Sequence, residues 1–267
     1  MIAEPRRLIA PGVATGGARP QALLTIGGER WSLKFSKSGE YVDMPLIEHA
    51  AMTLAARAHI RVATTQPITL ARGHALAVKR FNQTCGGDGG GAGPPVVNVA
   101  PKAAGEGLGY PALAQLLRWS GMAESSLGRA QMAHVFRRMV FNILLDNSDD
   151  HEKDHALLMT DQREYELSPA FDVMTSGHAL GLQQMRVGVD MAVSAIANAP
   201  IEHGPFGLKR VEAETQLSRV VAVLAAVARW KHHFAATGVP ASHVDFLSQQ
   251  MDRPLLADRR RAWGGAG

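Results

Sequence analysis

Asp149, Asp150, His151, Asp154 and His155 crowd into one short stretch, directly after an apolar run that ends at Leu145. A further carboxylate closes the segment Leu167-Ser-Pro-Ala-Phe-Asp172, where Phe171 and Val173 flank it. Charges that emerge straight from a buried helix, or sit between core residues, need a partner or a cation, because an unpaired buried charge is costly. Two chemistries fit these residue types. In phosphoryl transfer, one carboxylate meets the attacking hydroxyl and a separate pair of oxygen ligands holds magnesium. Asp149, Asp154 and Asp172 have that order: an acceptor-side acid, a ligand five residues on, and a further acid after a short hairpin. Hard oxygen donors favour magnesium over zinc. In the second chemistry, His151 and His155 lie at i and i+4 on one helical face and bind zinc with Asp149 or Asp172, as in a hydrolase. The plain alternative to both is a solvated loop at a helix end.

The elements that must position these groups divide along the chain. Ala22–Ile26 and Trp31–Phe35 flank Gly27-Gly28, the signature of a hairpin. Asp43 caps a helix with Pro45 in its first turn, and Ile47, Ala50, Ala51, Leu54 and Ala58 form its buried stripe. Two further strands are expected near Ile68–Ala71 and His74–Phe81. The run Cys85-Gly-Gly-Asp-Gly-Gly-Gly-Ala-Gly-Pro-Pro95 reads as a loop, and Val96 to Gly109 has no periodicity. From Tyr110 the pattern is helical. Met132, Val135, Phe136, Met139, Val140, Ile143 and Leu144 form one stripe. A second runs through Leu217, Val220, Val221, Leu224, Val227, Ala228 and Phe234 and closes at Gly238. Strands followed by helices imply an α+β fold of two lobes: residues 1–83, an irregular Gly/Pro-rich connection at 84–109, and a helical lobe at 110–267.

Composition narrows the class. The chain has 267 residues, 46% hydrophobic and 19% charged, which fits a globular protein. A net charge of +4 over this length does not mark a nucleic-acid binder, and Arg259-Arg260-Arg261 reads as a solvated tail. The lone Cys85 excludes an internal disulfide. The N-terminal residues have no signal-peptide core, and the longest apolar run, Val220–Ala228, is too short to span a bilayer. A cytoplasmic location is expected.

The segments Asn147-Ser-Asp-Asp-His-Glu-Lys-Asp-His155 and Leu167-Ser-Pro-Ala-Phe-Asp172 resemble motifs of the HipA family of Ser/Thr protein kinases, the toxins of toxin–antitoxin systems. Gly16-Gly-Ala-Arg-Pro-Gln-Ala22 and Gly177–Gly188 are similar to family segments as well. The resemblance covers roughly residues 12–83 and 105–260. It implies a two-lobed protein-kinase-like fold that uses ATP and Mg2+. Asp149 would be the catalytic aspartate, and Asp154 and Asp172 the metal ligands. Gly16, Gly17 and Ala18 would form the phosphate loop, Lys34 would contact the ATP phosphates with Glu48 as its partner, and Lys79 and Phe81 would lie where the family binds adenine. It also implies a protein substrate, an aminoacyl-tRNA synthetase by analogy, and a DNA-binding antitoxin as partner.

Three departures stand out. Asp154 replaces an asparagine, Gln21 replaces a loop lysine, and Ala14 with Thr15 stands where relatives carry an autophosphorylated serine. Asp154, Gln21 and the Gly-rich stretch at 84–95, which replaces a more ordered family segment, motivate an alternative, a degenerate kinase fold that binds a partner without transferring phosphate. The chain begins where longer relatives have already completed a first N-terminal subdomain. Either a small separate protein supplies that piece and covers Leu8, Ile9 and the strand Ala22–Ile26, or the sequence is a truncated product, or the helical lobe covers this face and the chain is a stable monomer.

Overall fold

The computed structural model of the chain describes residues 19–81, 96–97, 109–118, 126–159, 165–175, 184–188, 201–224, 227–254 and 256–258. The phosphate-loop positions Gly16, Gly17 and Ala18 lie outside these residues, as do Leu8, Ile9, Ala14, Thr15 and Cys85.

The first sheet has four antiparallel strands in the order β1 (Gln21–Ile26), β2 (Glu29–Phe35), β4 (His74–Lys79) and β3 (Thr65–Thr69). Gly27 and Gly28, both at positive φ, make the two-residue turn between β1 and β2, a conformation that suits the twist of a hairpin. β3 lies three residues upstream of its expected start. Pro67 sits within it and cannot donate to a ladder, which is tolerated because β3 is an edge strand. The other edge is β1, where Leu23 and Ile26 are exposed.

Helix α1 (Met44–Arg57) packs on this sheet. Asp43 accepts a hydrogen bond from Leu46 N at 3.4 Å, and its other oxygen lies 2.6 Å from His74 Nδ1, so one side chain caps the helix and ties it to β4. Alanines at 50, 51 and 55 let the backbone approach closely, and Glu48 is fully buried on the same face.

The helical part follows as α2 (Tyr110–Leu117), α3 (Ser126–Leu145), α4 (Arg210–Leu224), α5 (Val227–Ala236) and α6 (Ala241–Met251). The predicted stripe from 217 to 234 is divided between α4 and α5, and Gly238, at φ +94, ends the second. A second sheet, β5 (Val96–Val97), β6 (Leu157–Met159) and β7 (Tyr165–Leu167), is antiparallel. Its first strand falls where the sequence pattern carries no signal, because two residues are too few to show alternation.

One apolar core runs through both parts, joining Ile47, Leu54 and Leu76 to Phe136, Phe141 and Leu144 and on to Trp230 and Phe234. A parallel bridge between Val62 and Ala170 crosses between them as well. Among the described residues, no helix is long and apolar enough to cross a membrane.

Candidate active site

Helix α3 carries a polar ladder inside its apolar stripe. His134, Arg138, Asn142 and Asp146 recur every four residues, and all four are buried. Each braces a segment of the site. His134 Nε2 accepts from Arg61 N at 2.8 Å and fixes the linker after α1. Arg138 donates to Ser168 O, and Arg61 donates to Leu167 O. With the bridge at Ala170, these bonds hold the segment 167–172 that bears Asp172. Asn142 donates to the Tyr110 hydroxyl at 2.9 Å, and that hydroxyl donates to Asp150. Asp146, at φ +60, ends the helix and receives Arg253 Nη2 at 2.8 Å.

The imidazole of His134 must be neutral at Nε2 to accept that bond. Burial, and then the charges of Arg138, Arg137 and Arg61, press its pKa down to about 2. The unfolded ring takes up a proton below about 6.5. Stability from this group is therefore full above that pH and is lost as the pH falls. His134→Gln keeps an acceptor oxygen but cannot titrate. Relative to wild type it should flatten the acid loss of stability by up to one proton, about 1.4 kcal/mol per pH unit between pH 6 and pH 4. Denaturant melts of both proteins across that range measure the difference, and parallel curves would exclude His134.

The two adjacent aspartates divide. Asp150 is buried, with its carboxylate 3.0 Å from His155 Nε2 and hydrogen-bonded by Tyr110. Burial alone would raise its pKa, but the charge and hydrogen bond of His155 and the Tyr110 hydroxyl outweigh that and hold it below the usual value. Asp149 is turned outward, where Gln184 Nε2 donates to its Oδ1 at 2.8 Å.

At the other side of the cleft, Lys34 Nζ lies 2.6 Å from Glu48 Oε1 and 2.7 Å from Asp172 Oδ1. Asp172 takes a left-handed backbone at φ +58, which an aspartate tolerates better than most side chains. Burial by itself would depress the lysine; the charges of Glu48 and then Asp172 more than reverse this and keep it protonated. One ammonium faces two carboxylates, so negative charge is in excess. Complete burial pushes Glu48 up to about 7, and Lys34 offsets this only in part.

Asp154 is nearly buried at the end of a 3-10 turn (Glu152–Asp154), 2.8 Å from His151 Nδ1. Burial, together with the like charges of Asp172 and Asp150, raises it to about 6. The His151 imidazolium donates to the Asp154 carboxylate, and this hydrogen bond raises its pKa to about 9.

The zinc arrangement is not formed. The segment is a 3-10 turn with extended residues at both ends, so His151 and His155 share no helical face, and each pairs with a different carboxylate. Among the described residues, no three His, Cys, Asp or Glu side chains gather closely enough to hold an ion unaided. Asp154 and Asp172 nonetheless suit magnesium. They are hard oxygen donors whose mutual repulsion raises Asp154, and magnesium usually completes its shell with phosphate and water.

Lys79 pairs with Glu29 at 2.5 Å, and its backbone N–H is bonded to Thr64 O. Phe81 packs on Phe171, with ring centroids 5.5 Å apart, beside Asp172. Gln21 lies at the start of β1, in register with Lys34. Tyr110, Arg138, Asn142 and Gln184 carry no role in the sequence reading. The four-residue spacing of polar side chains along α3 is the signal that marks two of them.

The sequence profile of the HipA-like C-terminal domain matches residues 13–230. The chain belongs to this family. A candidate kinase of Sinorhizobium fredii, Y4dM, is 30% identical over 166 residues, which are 56% of this chain and 38% of that protein. The HipA-like chain thus spans well under half the length of this curated relative. Among solved structures, HipA of Shewanella oneidensis MR-1, in complex with HipB and its operator DNA, superposes with a TM-score of 0.70 at 18% identity, over 98% of this chain and 68% of that one. The proinflammatory kinase CtkA of Helicobacter pylori gives 0.60 at 13% identity, over 95% and 94%. At such identities the likeness establishes the fold: this HipA-like chain has the two-lobed, protein-kinase-like α+β architecture.

Proposed function

We propose that this HipA-like chain is an ATP-dependent Ser/Thr protein kinase. The observation that carries the reading is Lys34 held between Glu48 and Asp172, the arrangement a kinase needs to present a cation to the nucleotide phosphates. Asp149 faces outward with Gln184 Nε2 on its Oδ1, where it would accept the proton of a substrate hydroxyl. Asp154 and Asp172 would hold magnesium, which supplies positive charge against the phosphates when bound. Phe81 and Phe171 offer an apolar surface to the adenine side of the cleft. The phosphate loop would be formed by Gly16, Gly17 and Ala18, as in the family.

A second reading, a kinase fold that binds a partner without transfer, draws support from Asp154, whose carboxyl is committed to His151 and carries charge where relatives have an asparagine. Calorimetric titration with ATP and magnesium, followed by radiolabel transfer to protein, separates the two readings. Binding without transfer supports the second.

If Asp172 is a principal metal ligand, Asp172→Asn should raise the magnesium concentration needed for nucleotide binding by about tenfold or more, and Lys34 should keep Glu48 as its partner. Identical nucleotide affinity in both proteins across a magnesium series would refute the assignment.

By analogy with HipA, whose structure includes HipB and its operator DNA, a DNA-binding antitoxin is the proposed partner, and the family resemblance of the sequence makes an aminoacyl-tRNA synthetase the proposed substrate. The exposed β1 edge with Leu23 and Ile26 is the proposed seat of a small protein partner.

A further inference from the structure

We infer that Gln184 is a positioning residue for Asp149, a role that rests on the kinase reading above. Three bonds join the segment at 184–185 to the catalytic loop. Gln184 N donates to Ser148 O at 3.2 Å, Met185 N donates to Asp150 O at 3.2 Å, and Gln184 Nε2 donates to Asp149 Oδ1 at 2.8 Å. The backbone pair fixes where the Gln184 side chain starts, and the side chain then fixes the carboxylate. Just beyond, Tyr110 N donates to Arg186 O at 3.0 Å, so the segment is anchored to the same tyrosine that holds Asp150. Gly109 packs so tightly here that an added Cβ would lie 2.7 Å from Arg186 O, which makes the anchor sensitive to any side chain at that position.

The geometry gives the bond a chemical purpose. Asp149 is exposed, and an exposed carboxylate rotates about its terminal torsion unless something holds it. A proton acceptor must meet the substrate hydroxyl at hydrogen-bond distance, and a displacement of about 1 Å can cost a hundredfold in rate. Gln184 thus acts through Asp149 and touches neither nucleotide nor metal ligand in this arrangement.

The test uses the full chain. Gln184→Met keeps the length and removes the N–H donor, whereas Gln184→Lys restores a donor. Transfer from ATP and magnesium to casein, and to the chain itself, should fall about ten- to a hundredfold in kcat for Gln184→Met, with the KM for ATP unchanged, and should return to within a few-fold of wild type for Gln184→Lys. In the nucleotide-free proteins, amide hydrogen exchange at Met185 and in residues 147–151 should quicken in Gln184→Met and not in Gln184→Lys. Equal kcat in wild type and Gln184→Met, or a parallel rise in KM for ATP, overturns the proposal. So does unchanged exchange. A wild-type chain that transfers no phosphate refutes the kinase reading instead, and the exchange measurement then decides whether Gln184 holds Asp149.

Discussion

Replacing Asp149 by alanine is expected to reduce phosphoryl transfer by on the order of a thousandfold, the scale of a lost general base. Stability should change by less than about 0.5 kcal/mol, as for most exposed positions. Asp149 faces outward, whereas its neighbour Asp150 is locked to Tyr110 and His155 in the interior. The same substitution at the two positions should therefore separate chemistry from architecture: Asp149→Ala folds and binds ATP but does not transfer, while Asp150→Ala loses stability. Transfer assays, ATP titration and thermal melting on the two variants read this out. Unchanged transfer in Asp149→Ala would remove the catalytic assignment.

The second large effect is expected at Lys34. Lys34→Met leaves Glu48 and Asp172 facing each other without a cation, and Glu48 is fully buried. Breaking a buried pair by removing one partner costs about 3 kcal/mol or more. The variant should also lose most of its magnesium-dependent ATP affinity. The pH dependence gives a signature. Glu48 titrates near 7 in the native protein, above its unfolded value of 4.5, so the folded state binds the extra proton and stability falls as pH rises between those values. Without Lys34 the folded pKa moves higher still. Below pH 7 both proteins carry a protonated Glu48, and the difference between them stays level. Above pH 7 the variant should lose a further increment of about 1.4 kcal/mol per unit until its own pKa is reached. Melts at pH 6, 7 and 8 test this, and a pH-independent difference would show that Glu48 is not the group left unpaired.

Much of this site is legible in the primary structure because its parts are local. The helix capped by Asp43, the hairpin at Gly27-Gly28 and the acids of residues 149–155 each announce themselves within a few residues. Glu48 enters as a partner for Lys34 only through the family resemblance, since the apolar stripe of its helix does not itself call for an acid. What escapes is set by long-range pairing. The bond from Tyr110 to Asp150 spans forty residues, and the one from Gln184 to Asp149 spans thirty-five. Nothing in either local pattern requires the other end. The start of β3 is displaced for a different reason: Pro67 lies inside it, and a proline is tolerated there only because the topology makes β3 an edge strand. The same applies to His151 and His155, whose spacing suggests one helical face only while the backbone between them is taken to be α-helical.

The core that joins both lobes, with the bridge from Val62 to Ala170 crossing it, bears on how nucleotide enters and leaves. Kinase-fold enzymes whose lobes meet at a slender hinge can exchange nucleotide by swinging apart. Here a rotation of that kind would have to part α1 from α5, where Thr53 and His233 lie 2.9 Å apart, and expose packed side chains of both lobes to water. On the kinase reading, nucleotide release would then be governed by breaking the contacts of Lys34 and the metal with phosphate, not by the drag of solvent on a moving lobe.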